Sequence, residues 1–302
     1  HLNPPLRQLA DRGGREGFKH NMKISVVIPA HNEEAFIGEC LKRLSEQTRK
    51  ADEIIVVDNN STDKTVAVAQ RYGARIVKER TMGIIYARNK GFNAARGDII
   101  ARTDADTIVT KNWVETIYKS FVNKKNNLCA VGGVSIITDT PLTDTPKYFS
   151  YFYYKYILRF LSGMYQLRGP NMAISRRMWY KVRKELCVGE EIQEDIDLSY
   201  HIMRYGHVLF NPRLIAFTSD RRKIRNPLSF FVIYPVRNVI MLATHWNYIT
   251  FIKERMKHIP LFNFNQIIKR RLRMISSYFS NRKFKNSTLP SPARGGKKEG
   301  LQ

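Results

Sequence analysis

An α/β fold with parallel strands at its centre is what this sequence predicts, on three observations. Short, continuous apolar runs recur (ISVVI, EIIVV and IIA). Segments with helical spacing separate them. Each run is followed at once by acidic, amide or turn-forming residues. Strands covered by helices on both faces are apolar along their whole length, whereas strands with one wet face alternate.

The elements follow in order. Residues 24–28 form the first buried strand, ending at Pro29, and 35–45 the first helix, with Phe36, Cys40, Leu41 and Leu44 on one face. A second strand is expected at 53–57, a helix at 64–71, a weaker strand at 74–77, a helix at 84–95 and a strand at 98–102. A helix at 113–122 closes the clean alternation. Beyond it, 128–137 is strand-like, 147–161 an aromatic-rich helix, 173–175 a short strand, and 195–204 a helix stopped by Gly206. Residues 1–21 are polar, without periodicity or the apolar core of a signal peptide, and precede Met22; they read as a disordered or non-native leader. The expected organisation is that leader, an enzyme-sized domain over 22–225, basic apolar helices over 226–284 and a disordered tail over 285–302.

The balance of the 302 residues, 43% hydrophobic and 25% charged, excludes a wholly disordered chain, a collagen and a disulfide-stapled miniprotein. With 51 Lys+Arg against 26 Asp+Glu, the net charge of +25 favours polyanionic partners: nucleic acid, an anionic membrane surface or phosphorylated substrates. Cys40, Cys129 and Cys187 form no CxxC and leave an odd count, which argues against a disulfide framework or a zinc site and for a reducing compartment.

Ligands of open α/β sheets bind beyond the carboxyl ends of the strands. Three such tips draw attention: Pro29 to Glu34, Asp58 to Asp63, and Thr103 to Asp106. Asp104 and Asp106 form a DxD, two carboxylates able to share a hard divalent cation that in turn bridges a diphosphate; an exposed acidic loop is the plainer alternative. Asp58 sits at a strand tip ahead of helix-capping residues, where a carboxylate can accept hydrogen bonds from a ribose or base edge. Glu194 and Asp195 open an apolar-faced helix, a place to hold a carboxylate rigidly as general base, or simply a helix start favoured by the dipole.

Together these pieces resemble the family-2 nucleotide-sugar glycosyltransferases. Six ordered blocks carry the resemblance: VVIPAHNEE from Val26, IIVVDNNSTD from Ile54, ARNKG from Ala87, GDIIARTDAD from Gly97, GPNMAI from Gly169 and EDIDLSYHI from Glu194. The resemblance implies a GT-A fold: a Rossmann-like nucleotide-binding half with a central, mostly parallel sheet, and an acceptor half; composition adds C-terminal membrane-associated helices after it. It implies an inverting transfer from a UDP- or GDP-sugar to an acceptor hydroxyl. Pro29, Asn32, Glu33 and Asp58 would line the nucleotide pocket, and Arg88 would lie near the diphosphate or close the donor pocket. Asp104 and Asp106 would meet the donor ribose and a Mg²⁺ or Mn²⁺. Gly169, Pro170 and Asn171 would shape the acceptor side, and Asp195, with Glu194 beside it, would supply the catalytic base. The QxxRW block of processive synthases is missing, since the one Trp after residue 195 is Trp246 in HWN; single-sugar transfer is therefore expected.

The second half bears on location. In 147–161, Phe149, Phe152, Tyr153, Tyr156, Ile157 and Phe160 share a face opposite Lys147, Lys155 and Arg159, suited to a membrane surface or to the enzyme's own core. Residues 228–252 are long enough to span a bilayer, but Pro235 and Arg237 favour an in-plane segment, followed by the polybasic Lys269–Arg273 stretch. The expected setting is the cytoplasmic face of the cell membrane, with a glycan or lipid-linked acceptor. A polyprenyl-phosphate sugar transferase is the alternative within enzymes. A nucleic-acid-binding protein is the alternative from charge alone, disfavoured because no recognition module accompanies the charge.

Overall fold

In the structure, a computed structural model that describes residues 21–122, 128–137, 165–189 and 192–219, the strand Ile24–Ala30 (β1) is buried at every position. It lies between two parallel neighbours, Glu53–Asp58 (β2) and Ile99–Arg102 (β4), and Arg75–Lys78 (β3) extends the parallel row beyond β2. The helices Ile37–Ser45 (α1), Thr65–Arg71 (α2) and Ile84–Ala94 (α3) connect these strands. Side chains alternate along a strand. Ile24, Val26 and Ile28 therefore pack with Leu41 and Leu44 of α1 and with Trp113 and Ile117 of Trp113–Val122 (α4). Val27, Ile55 and Val57 pack on the opposite face with Ala87 and Phe92 of α3. At Gly91 the α3 backbone comes so close to the sheet that a Cβ would stand 2.4 Å from Val27 Cγ1 and 2.7 Å from Val57 Cγ2.

Among the described residues, the expected mostly parallel sheet is a mixed one in which six of the eight strands run the same way. It has eight strands in the order β3-β2-β1-β4-β7-β6-β8-β5, completed by Thr107–Val109 (β5), Leu128–Ile137 (β6), Met172–Ser175 (β7) and His207–Thr218 (β8). The parallel row is interrupted after β4, where β7 pairs antiparallel with both β4 and β6; β6 and β8 then run parallel to each other, and β5 runs antiparallel to β8. This reversal positions the site. Met172 is opposite Arg102, so the 3-10 turn Gly169–Asn171 that leads into β7 stands against the carboxyl end of β4.

Two helices complete the described fold. Arg176–Val182 (α5) is capped by Ser175, whose Oγ accepts the Met178 N–H at 3.2 Å, and Glu194–Met203 (α6) buries Leu198 and Ile202 against the α3 side of the sheet. Of two compact units, 1–255 and 256–302, only the first contains described residues. The expected helix at 147–161 and the basic segments at 228–252 and beyond lie outside the described residues. Among the described residues no helix is long and apolar enough to cross a membrane.

Candidate active site

Parallel register brings the first two tips together, with Ala30 beside Asp58. Pro29 is buried within β1. Asn32 takes a positive φ of 53°, which Asn tolerates better than most residues, and its Oδ1 accepts the Thr62 N–H at 2.8 Å. The half-buried Glu33 gives its backbone N–H to Thr65 Oγ1 at 2.8 Å. Asp58 is buried, and its Oδ1 accepts the Ser61 N–H at 2.9 Å, so one carboxylate oxygen shapes its own turn. Asn59, to which the sequence reading assigned no role, ties in the segment before α3. Its amide donates to the Glu79 and Thr81 carbonyls at 3.0 and 2.8 Å and accepts from Gly83 N–H at 2.8 Å.

The third tip meets α6 through Arg102, the other residue the sequence reading passed over. Its side chain is 2% exposed. Nη1 donates to Glu194 Oε1 at 2.6 Å, and Nη2 donates to Asp104 Oδ1 at 3.1 Å. Glu194 is held from its other side by Arg88, whose Nη1 lies 3.2 Å from Oε2 and 2.6 Å from the Glu194 carbonyl. Arg88 is fully buried, with its guanidinium 5.8 Å from the Trp179 ring centre. Two guanidinium ions and two carboxylates thus form a continuous, charge-balanced chain, Arg88–Glu194–Arg102–Asp104. Arg88 Nη2 and Arg102 Nε have no hydrogen-bond partner among the described residues.

Burial pushes the Glu194 carboxyl up, and the neighbouring Asp195 charge adds to this against the pull of Arg102 and Arg88. Burial lowers Arg88, whereas Arg102, flanked by Glu194 and Asp104, is raised despite its burial. The arrangement suits Glu194 to orienting the start of α6 rather than to exchanging protons with a substrate.

Asp195 differs from Glu194. It is half-buried; its Oδ2 accepts the Gly169 N–H at 3.0 Å and its Oδ1 the Ile196 N–H at 2.9 Å. A carboxylate has about four lone-pair positions, so acceptor capacity remains. Gly169 is also pressed against Arg102: a Cβ there would stand 2.6 Å from Nη2. Thr103 Oγ1 donates to the Pro170 carbonyl at 3.1 Å, closing the seam between β4 and the turn. Asn171 is wholly internal. Its Nδ2 donates to the Val134 and Leu214 carbonyls at 2.9 and 3.0 Å, and its Oδ1 accepts from Trp113 Nε1 at 2.8 Å. Its side chain therefore frames the turn from behind.

Asp104 and Asp106 are half-buried on either side of the buried Ala105. Behind them, Cys40 Sγ lies 3.5 Å from the Asp104 carbonyl, and burial first, then the Asp106 and Asp104 charges, push its thiol up. Two neighbouring carboxylates with hard oxygen donors fit Mg²⁺ or Mn²⁺. The sequence blocks read as DxD, GPN and ED therefore converge on a single guanidinium.

A family model described as Glycosyl transferase family 2 matches residues 25–183, more than half of the chain. The chain belongs to glycosyl transferase family 2. Within this family it is similar to the glycosyltransferase GlyA of Streptococcus pneumoniae, with 33% identity over 115 residues, covering 36% of this chain and 16% of GlyA. The match thus spans well under two thirds of that relative's length. Two solved structures share the fold. The mannosyltransferase PcManGT from Pyrobaculum calidifontis, in complex with GDP-Man and Mn²⁺, has a TM-score of 0.54 at 17% identity, covering 88% of this chain and 82% of its own. TarS 1-349 of S. aureus, in complex with UDP-GlcNAc, has a TM-score of 0.52 at 18% identity, covering 66% and 59%. The shared fold makes its architecture GT-A-like.

Proposed function

We propose that this glycosyltransferase moves one sugar from a nucleoside diphosphate sugar to an acceptor hydroxyl, with inversion at the anomeric carbon. The observation that carries the reading is the convergence on Arg102: it links Asp104 of the DxD to Glu194, next to Asp195, with Gly169 wedged against it. The tips of β1 and β2 take the nucleotide, in keeping with ligand binding at the carboxyl edge of such sheets. Asp104 and Asp106 would hold a divalent cation, which when bound supplies positive charge to the diphosphate leaving group. Asp195, aimed by the Gly169 N–H, accepts the proton of the attacking hydroxyl at its carboxylate. Arg88 and Glu194 act indirectly, by holding the first turn of α6. Gly169 and Pro170 border the acceptor side.

Similarity to proteins solved with GDP-Man or UDP-GlcNAc supports a nucleotide-sugar donor. The acceptor is proposed to be a glycan or a lipid-linked envelope component at the cytoplasmic membrane face, on the strength of the basic, aromatic sequence beyond residue 220. A polyprenyl phosphate acceptor is already ionised and needs no base; the oriented Asp195 favours a hydroxyl. The test is donor turnover with UDP- and GDP-sugars plus Mn²⁺. Asp195→Asn is expected to lower kcat at least 100-fold while leaving donor binding nearly intact. Asp106→Ala is expected to remove metal-dependent donor binding. Near-normal turnover in Asp195→Asn overturns the base, and unchanged metal dependence in Asp106→Ala overturns the metal role.

A further inference from the structure

Farther along α6 from the acidic tip lies a group of side chains that the transfer reaction does not use. Asp197 and His201 stand one helical turn apart on α6, and Cys187 approaches them from the turn after α5. One ligand atom from each, a carboxylate oxygen, an imidazole nitrogen and the thiol sulfur, can be chosen so that all lie within 4.8 Å of one another. We propose that Cys187, Asp197 and His201 form a second metal site, for a zinc-class divalent cation, distinct from the DxD.

Three features support this. The first is the donor set. Thiolate, imidazole and carboxylate together suit Zn²⁺, whereas the all-oxygen DxD suits Mg²⁺ or Mn²⁺. Ligand atoms around a tetrahedral Zn²⁺ stand roughly 3.5 Å apart, given Zn–S and Zn–N bonds of about 2.3 and 2.0 Å, so a contraction of about 1 Å suffices. His201 Nε2 is already 3.4 Å from Asp197 Oδ1. The second is the surrounding support. Cys187 N–H donates to Asp197 Oδ2 at 3.1 Å, orienting the carboxylate. His201 Nδ1 lies 3.6 Å from Glu185 Oε2, and Glu185 is itself fixed by Arg204 Nη1 at 2.8 Å and by the Tyr205 hydroxyl. A carboxylate behind a histidine is the usual outer partner of a metal-bound imidazole. The third is burial: Asp197 is fully buried and His201 nearly so, which removes water as competitor for the ligands.

The position gives the site a purpose. Asp197 follows Asp195 by two residues, about 200° around the helix, so the two carboxylates face opposite ways. A cation behind α6 would clamp its first two turns to the turn carrying Cys187 and brace the segment from which Asp195 projects. Without a cation, the same groups form a polar network joining Glu185, His201, Asp197 and Cys187, with no thiolate–metal bond.

Cobalt distinguishes the two. The full chain, stripped with EDTA, is titrated with Co²⁺ and followed in the near ultraviolet, where thiolate-to-cobalt charge transfer absorbs. One equivalent of Co²⁺ is expected to raise the band and Zn²⁺ to abolish it by displacement. Cys187→Ser should lose the band, and Glu185→Gln should weaken binding about 10- to 100-fold. Cys40→Ala and Asp106→Asn should keep it, which separates this site from the DxD whatever the outcome for sugar transfer. Zn²⁺ at a hundredfold excess over its Kd should lower the unfolding equilibrium constant about 100-fold in the parent chain and leave Cys187→Ser unchanged. No band at millimolar Co²⁺, or a band that survives Cys187→Ser, overturns the proposal.

Discussion

Replacing Glu194 by Gln removes the anion that two buried guanidinium ions share. Arg102 Nη1 and Arg88 Nη1 stand 2.6 and 3.2 Å from its two oxygens, and neither arginine is more than 2% exposed. Water cannot compensate for the lost charge, and the two like charges then face each other across a neutral amide. Removing one member of a buried ion pair typically costs about 3–5 kcal/mol. For a domain of this size each kcal/mol moves the midpoint by about 2–4 °C, so Glu194→Gln should lower Tm by about 6–20 °C. Arg88→Met removes one of the stranded cations. The double variant should therefore be more stable than the sum of the two single changes, by about 0.5–3 kcal/mol of coupling. The assay is thermal or urea denaturation followed by circular dichroism, alongside donor turnover below the variant's Tm. Turnover should also fall, because Arg102 holds Asp104 with its other nitrogen. A Glu194→Gln protein with the parent's Tm and turnover would refute the claim that this carboxylate organises the site.

Two further outcomes are expected. Gly169→Ala drives a Cβ to within 2.6 Å of Arg102 Nη2, on a side chain pinned at both ends, and should cost about 1–3 kcal/mol by overpacking and reduce kcat; parent-like values of both in denaturation and turnover assays would show that the contact relaxes freely. Glu53 is partly buried, which pushes its carboxyl up, but Ser25 Oγ, the Arg96 N–H and Arg75 outweigh this and hold it below its ordinary 4.5. A lowered carboxyl stabilises the fold above its unfolded pKa and loses that contribution as pH falls through the folded value. The Tm gap between the parent and Glu53→Gln should accordingly be widest at neutral pH and close on acidification below about pH 4. A gap constant with pH would assign the stabilisation to packing rather than charge.

The element pattern was legible because burial on both faces forces whole strands to be apolar. Strands expected at 24–28 and 53–57 are found with extensions of one or two residues into their polar tips, Pro29–Ala30 and Asp58. Strands β5 and β8 and helix α5 were not anticipated. Thr107–Val109 is only three residues long, and His207–Thr218 contains Asn211, Pro212 and Arg213, which break any run of apolar or alternating residues. Antiparallel insertion of β7 beside β4 could not be read from composition either, since both strands are equally apolar.

The candidate site divides along the same line. Spacing within the chain determines that Asp104 and Asp106 follow the end of β4, and that Asp58 stands at a strand tip: these are local consequences of strand ends. The sequence alone also carried the family, through short blocks held in order. Only the tertiary structure decided that Arg88 and Arg102, from different elements, share Glu194, and that Asn171 faces inward to Trp113. It likewise brings Cys187 to Asp197 and His201, though the cysteine spacing argued against a metal framework. The physical reason is common to all three. A buried charge or amide must find its partner wherever the packed sheet presents one, and that partner is fixed by strand order and register, not by distance along the chain.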